Sequence, residues 1–300
     1  MEIITLTCKV ISPMFIGNAN GKNAELRPST IEGSLRFWWR AIHPDLSKYE
    51  LRKQETEFFG GSYQDKDDNN KTVNKPPSYR FLSIESEDIE IEDVFIDARK
   101  ESSIKNVRDS GKSGKAYAFS MDQIFKIKLQ ILTNKSEVLA LFKLTSALGS
   151  LGKRSRRGAG AWKIEKINEE NDIVYDKEDI DKWIKTINPN YQNNTNTPDY
   201  PYLKEYTIGT VTYTKEVDLR IRIMVTAHYC KKESNHKNSF NSCLGVASGK
   251  TRLSSPVYVS MIEDSKGVKP IISTLNHKRC EDNTIQQEFI SCILTTKNCN

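Results

Sequence analysis

The sequence predicts an α+β fold. Its first half runs β-α-β-β-α-β, the ferredoxin-like or split βαβ order, and its second half forms a smaller, less regular α+β unit. Three observations carry this. Residues 123–132 (QIFKIKLQIL) alternate Phe125, Ile127, Leu129 and Ile131 with Lys126, Lys128 and Gln130, the period of a strand with one face buried and the other wet and basic. Residues 29–43 (STIEGSLRFWWRAIH) place Ile31, Leu35, Trp38, Trp39 and Ile42 on one face at helical spacing. Residues 136–148 (SEVLALFKLTSAL) read as an apolar helix that runs straight into a glycine- and arginine-rich loop.

The elements follow in order. Residues 2–12 (EIITLTCKVIS) open the fold as a strand that Pro13 ends, and a polar Gly/Asn-rich loop follows. Ser29 and Glu32 have the spacing of a capping box at the start of the first helix, and Pro44 stops it. A second helix, 46–59, has Ser47 and Glu50 as its cap and Gly60-Gly61 as its stop. Residues 62–77 read as loop, 78–86 as a strand and EDVFID as a short strand. The basic Ser/Gly-rich stretch 99–118 reads as a flexible insertion. The strand 123–132 and the helix 136–148, with Ser136 as cap, lead through the loop to a strand at 161–168. A first domain of residues 1–168 and a second of 169–300 meet at an acidic, then Asn/Pro-rich stretch. The second carries a short helix near 180–187, an alternating strand at 217–227 with Arg220 and Arg222 outward, a helical stretch at 239–247, a strand at 255–263, a helix at 285–294 and a fraying tail.

Composition narrows the function. The net charge of +6 permits a polyanionic partner without demanding one, and 28% charged residues make a very polar surface. Six cysteines show no CxxC pair and no Cys/His ligand spacing. They read as free thiols of a cytoplasmic protein. No apolar run approaches the length of a membrane helix, and no secretory leader is expected. No cofactor or metal motif stands out.

The stretch Ala147–Lys163 (ALGSLGKRSRRGAGAWK) is the strongest candidate site. Gly149, Gly152, Gly158 and Gly160 alternate with small residues, and Lys153, Arg154, Arg156, Arg157 and Lys163 follow one another without an acid. Glycine allows positive φ and close approach. Backbone N–H groups of such a loop can cradle an anion, and arginine forks match phosphate. The plainer reading is a solvated basic turn. On the first helix, Glu32, Arg36, Arg40 and His43 share a face. Two arginines one turn apart could grip phosphates, or Glu32 could simply pair with Arg36. The tryptophans belong on the apolar stripe, hence in the core. GVASGKT at 245–251 has three residues between its glycines where a phosphate-binding loop needs four, so it is set aside as a nucleotide site, although Lys250 and Arg252 could touch a nucleic-acid backbone. A metal-independent ribonuclease would need a general base. His43 is the histidine nearest the basic helix and His228 a weaker candidate, but a histidine at a helix C-terminus more often complements the dipole.

Several of these motifs resemble one family. ELRPSTIEGSLRFWWRAI looks like the first-helix motif of the RAMP-superfamily subunit designated the first RAMP protein of the type III-B CRISPR effector, the Cmr complex. ETEFFGG at 55–61, LGSLGKRSRRGAG and TRLSSPVYVS are similar to further elements of that family. Where the family's loop more often carries an aromatic, this chain has Ala159. The resemblance implies two ferredoxin-like, RNA-recognition-type domains. It implies a non-catalytic RNA-binding subunit in antiviral defence, contacting guide RNA and target RNA near the end distal to the guide's 5′ tag and touching other subunits of the effector. Its RNA contacts would be Arg27, Arg36 and Arg40 around the first helix and Lys153, Arg154, Arg156 and Arg157 in the loop. Two alternatives stand beside it: a guide-processing ribonuclease with His43 as base, and a protein-docking module that uses the basic loop.

Overall fold

The computed structural model describes residues 1–17, 24–66, 71–86, 91–95, 115–170, 173–191, 198–236, 242–245, 253–276 and 284–295. In the first half these form β1 (Glu2–Val10), α1 (Pro28–Ala41), α2 (Lys48–Phe59), β2 (Gly61–Asp65), β3 (Lys71–Lys75), β4 (Tyr79–Ser86), β5 (Ile91–Phe95), β6 (Lys115–Phe119), β7 (Ile124–Ile131), α3 (Lys135–Leu148) and β8 (Trp162–Ile167). In the second half they form α4 (Lys177–Ile187), β9 (Leu203–Ile208), α5 (Glu216–His236), β10 (Val257–Asp264), β11 (Gly267–Leu275) and α6 (Thr284–Leu294). The fold is α+β with antiparallel sheets.

The main sheet has the order β4-β7-β1-β8. The alternation of β7 works as the sequence indicates. Phe125, Ile127, Leu129 and Ile131 are buried, and with Ile4, Leu6, Cys8 and Val10 of β1 they join one hydrophobic cluster. Trp38 and Trp39 of α1 and the apolar face of α3 complete it. A second sheet, β10-β11-β9, is backed by α5 and α6 around Leu219, Ile223, Val259, Phe289 and Ile293. Helix α4 packs on α3, and Ile180, Trp183 and Ile184 belong to the main cluster.

Several sequence expectations need correction. Helix α1 begins with Pro28 at its first turn and Arg27 as a cap without a side-chain bond, so the Ser29–Glu32 box does not form. Proline at that position needs no N–H partner and already has a helical φ, and Glu32 is left free to reach Arg36. The cap at Ser47 does form, its hydroxyl accepting from the Glu50 N–H at 3.2 Å. Asn134, in the left-handed region at φ 52°, takes the cap position before α3 in place of Ser136. Residues 62–77, read as loop, hold the β2-β3 hairpin, with Tyr63 opposite Val73. The insertion read at 99–118 ends in a strand, since β6 begins at Lys115 and pairs with β5; residues 96–114 lie outside the described residues.

The largest miss is 217–227, read as a strand and folded as α5. Alternation of Val217, Leu219, Ile221 and Ile223 with Asp218, Arg220 and Arg222 breaks at Met224, whereas Leu219, Ile223, Ala227 and Cys230 repeat with a helical period and are all buried. Arg220 does not face outward: it is 3% exposed and pairs with Glu216, one turn earlier, at 2.7 Å. Arg222 caps α6, donating to the Cys292 and Thr295 carbonyls at 2.8 Å each. Strands β9 and β11 carry no sequence expectation of their own. Of the helical stretch at 239–247, one turn of 3₁₀ helix at Ser242–Leu244 is described. Cys8 and Cys230 are free and buried, but Cys243 and Cys292 are disulfide-bonded, against the expectation that all six are free thiols.

Candidate nucleic-acid interface

The loop between α3 and β8 divides into a buried base and an exposed tip. At the base, Gly149 lies against the Trp38 indole, where a Cβ would overlap the ring nitrogen, and its carbonyl accepts from the Ser260 hydroxyl at 2.8 Å. The Gly160 N–H donates to the Pro13 carbonyl and its own carbonyl accepts from the Leu151 N–H, both at 2.9 Å. Gly160 has φ +74°, and a Cβ there would collide with the Leu151 carbonyl. The Gly158 N–H donates to the Val259 carbonyl of β10 at 2.9 Å. The sequence reading expects the glycine N–H groups to cradle an anion. The structure turns those of Gly149, Gly158 and Gly160 inward instead, to the carbonyls of Thr145 in α3, Val259 in β10 and Pro13 in the segment after β1.

Arg156 and Arg157 also belong to the base. The Arg156 guanidinium donates to the Ser255 carbonyl and lies 4.3 Å over the Tyr258 ring. Arg157 donates to the carbonyls of Arg156, Val257 and Leu244 at 3.0, 3.3 and 3.0 Å, with the Phe289 ring 5.3 Å away. Burial, with the charges of Arg154 and Arg156 beside it, pushes Arg157 down to about 10. These two side chains fasten the loop to the second sheet. Ala159, where an aromatic would stack, is 2% exposed and packs with Phe15 and Ala118.

The tip is Gly152, Lys153 and Arg154, all exposed. The Lys153 N–H donates to the Phe15 carbonyl at 3.0 Å. Arg154 sits in the left-handed region at φ 64°, and its carbonyl accepts from the Arg157 N–H at 2.8 Å, closing a turn. No carboxylate lies within ion-pair distance of Lys153, Arg154, Arg156 or Arg157 among the described residues. Arg27 is exposed at the cap of α1, its carbonyl accepting from the Thr30 N–H at 3.0 Å. The segment before it runs near the tip, since the Glu25 N–H donates to the Ile16 carbonyl and the neighbouring Phe15 carbonyl accepts from Lys153.

Arg36 and Arg40 are placed differently. Arg36 donates to Glu32 at 2.9 and 3.0 Å and to Glu55 at 3.3 Å, and it lies 4.5 Å over the Phe59 ring. Arg40 donates to the same Glu55 oxygen at 2.7 Å. Two carboxylates therefore neutralise the two arginines, and Glu55 ties α1 to α2. Sequence reasoning anticipated Glu32 but not Glu55, although Glu55 opens the ETEFFGG motif. Lys250 and Arg252 lie outside the described residues.

His43 is 5% exposed, stacks on Trp39 with ring centroids 4.0 Å apart and donates from Nδ1 to the Trp39 carbonyl at 2.6 Å. Burial lowers its pKa below the usual histidine range. The buried ring thus satisfies a carbonyl of the last turn of α1, and the lowered pKa favours its neutral form over the imidazolium that would complement the helix dipole. His228 is exposed on α5, not at a strand end. Among the described residues no group of three or more His, Cys, Asp or Glu side chains could hold a metal, and no helix is long and apolar enough to cross a membrane.

A family model, the RAMP superfamily, matches residues 7–165, from β1 through the loop to β8. No curated protein matches the chain in sequence. Among solved structures, the chain is similar to Cmr1 from Pyrococcus furiosus in its apo form, with 16% identity, a TM-score of 0.64 and coverage of 98% of this chain and 97% of that one. It is also similar to a chain of the type III-B Cmr-β complex bound to cognate target RNA and AMPPnP in the presence of single-stranded DNA, with 12% identity, a TM-score of 0.58 and coverage of 97% and 99%. At these identities the likeness is one of fold.

Proposed function

This chain belongs to the RAMP superfamily, and from that premise we propose that it is a non-catalytic RNA-binding subunit of a type III-B CRISPR effector ribonucleoprotein, in contact with guide and target RNA and with neighbouring subunits. The observation that carries the reading is electrostatic. Lys153, Arg154, Arg156 and Arg157 bring four cations into five residues, and no carboxylate answers them among the described residues. Arg157, partly sunk among carbonyls, raises the cost of that charge. An anion at the exposed tip offsets it. The tip supplies Lys153, the Arg154 fork and the Gly152 N–H, which suits phosphates of a nucleic-acid strand. Arg36 and Arg40, already neutralised, fall to a structural role in this reading.

The ferredoxin-like character of both units belongs to the same reading. In the first, strand order β4-β7-β1-β8 on a β-α-β-β-α-β chain supports it. In the second, β9, α5, β10, β11 and α6 follow the same order, and β10-β11-β9 repeats the first three places of the main sheet. The full-length likeness to a subunit of a target-bound Cmr complex is a fold-level analogy and supports the assignment on those terms.

Fluorescence anisotropy of labelled single-stranded RNA across a salt series tests this. Lys153→Ala/Arg154→Ala, which spares the fastening arginines, should weaken binding and flatten the salt slope by about one unit per lost phosphate contact. Binding that is absent in the wild type, or equal in both proteins, would overturn the reading. RNA incubated with the protein in EDTA should stay intact; cleavage that His43→Ala abolishes would favour the ribonuclease instead.

A further inference from the structure

The main sheet has a second face that the loop does not use. Its strands turn Ile4, Leu6, Phe125, Ile127 and Leu129 into the core. The intervening residues point the other way, and the register aligns them in rows. Arg80, Gln130 and Ile3 form one row, Ser83, Lys128 and Thr5 the next, and Glu85, Lys126 and Thr7 a third, with Lys166 beside Thr7 on β8. Arg80 and Lys128 are exposed, and neither meets a carboxylate among the described residues. One strand spacing and two residues separate them, about 8 Å at the backbone. Lys126 faces Glu85 across the strand pair, and Lys166 reaches Glu169 at 3.8 Å. Arg80, Lys126, Lys128 and Lys166 thus share this part of the face with Glu85 and Glu169, among hydroxyl and amide side chains, while Lys9 and Lys163 further along are answered by Asp122, Glu165 and Glu263.

The face lacks what a reader of unpaired bases needs. No described position that β1, β4 or β7 turns to this side is aromatic, whereas single strands are held by stacking on aromatic rings. A duplex asks for no stacking. It presents phosphates and 2′-hydroxyls, which cations and Ser, Thr and Gln side chains can bind without reading sequence. We infer that the outer face of the main sheet, through Arg80 and Lys128 with Ser83, Thr5 and Gln130 around them, docks the backbone of a double-helical stretch of RNA. This rests on the RNA-binding reading above and adds a second surface with a different preference from the loop tip.

The test is anisotropy of a short blunt-ended RNA duplex and of one of its single strands, each across a salt series, with wild type, Arg80→Glu/Lys128→Glu and Lys153→Ala/Arg154→Ala. The milder Arg80→Ala/Lys128→Ala and a thermal melt guard against misfolding. Loss of both cations should lower the duplex salt slope by about two units and weaken duplex binding more than single-strand binding, with an unchanged melt. Duplex binding unaffected in both sheet-face variants, while the loop variant weakens, overturns the inference and leaves the loop reading standing; the face is then open to a protein partner. A wild type that binds neither RNA overturns both.

Discussion

Arg154 offers a test in which stability and binding move in opposite directions. It is the exposed residue at the loop tip and holds φ 64°, a conformation that costs a residue with a β-carbon about 1–2 kcal/mol. Glycine escapes that cost but gives the unfolded chain extra freedom worth about 0.5–1 kcal/mol. Alanine keeps the β-carbon and hence the strain. The difference places Arg154→Gly above Arg154→Ala in stability by about 0.5–1 kcal/mol, and above the wild type by a similar margin, because the Arg154 side chain has no partner to lose among the described residues. In a chain of this size that is a rise of about 2 °C in melting temperature, readable by calorimetry or by urea midpoints at constant m-value. Both variants lose the same cation, so both should flatten the RNA salt slope by about one unit. Equal midpoints for Gly and Ala, or a more stable Ala variant, would refute the left-handed assignment. A Gly variant that binds RNA like wild type would refute the tip as a contact.

Other perturbations separate the structural roles. Gly160→Ala drives a β-carbon into the Leu151 carbonyl at positive φ and should cost about 3 kcal/mol or more by urea unfolding; an unchanged midpoint would mean the loop does not close as described. Glu216→Gln removes the carboxylate that faces Arg220 in the core and should cost about 3 kcal/mol, with much of the loss recovered when Arg220 is also replaced by Met. His43 is buried with a lowered pKa, so below the ordinary histidine pKa of about 6.5 the unfolded chain takes up a proton that the native state refuses, and stability falls as pH drops through that window. His43→Phe, which keeps a ring against Trp39, should remove that part of the pH dependence; a wild-type profile in the variant would refute the buried neutral assignment.

The main sheet and its helices were legible because their signals are local and strong. The alternation of β7 and the apolar stripe of α1 each identify an element without its neighbours, and the core adopts them unchanged. What could not be read depended on partners distant in sequence. Strand 61–65 is defined by pairing with 71–75, and β11 by lying between β10 and β9. In α5 the arginines misled, because alternating Arg220 and Arg222 look like a wet strand face until Glu216 and the α6 carbonyls are seen to receive them.

The same lesson decides the site. Arg36, Arg40, Arg156 and Arg157 look alike in sequence: basic, clustered and matched to a family motif. What separates them is what lies opposite each guanidinium, and that comes from elsewhere in the chain. Arg36 and Arg40 meet Glu55 of α2, so a phosphate arriving there would first have to displace a carboxylate. Arg156 and Arg157 meet carbonyls of residues 244–257, which satisfy their donors but leave their charge intact. A carbonyl offers only a dipole, whose field falls off faster with distance than that of a carboxylate. The two fastened arginines therefore keep raising the positive potential at Lys153 and Arg154 even though they touch no ligand. Arg157→Met should on this argument weaken RNA binding and its salt dependence only slightly at the tip, while Arg40→Met should leave both unchanged and lower stability instead, by about 1 kcal/mol for the exposed half of a shared ion pair. Anisotropy and urea unfolding on the two variants side by side would refute the distinction if Arg40→Met proved the more damaging to RNA affinity.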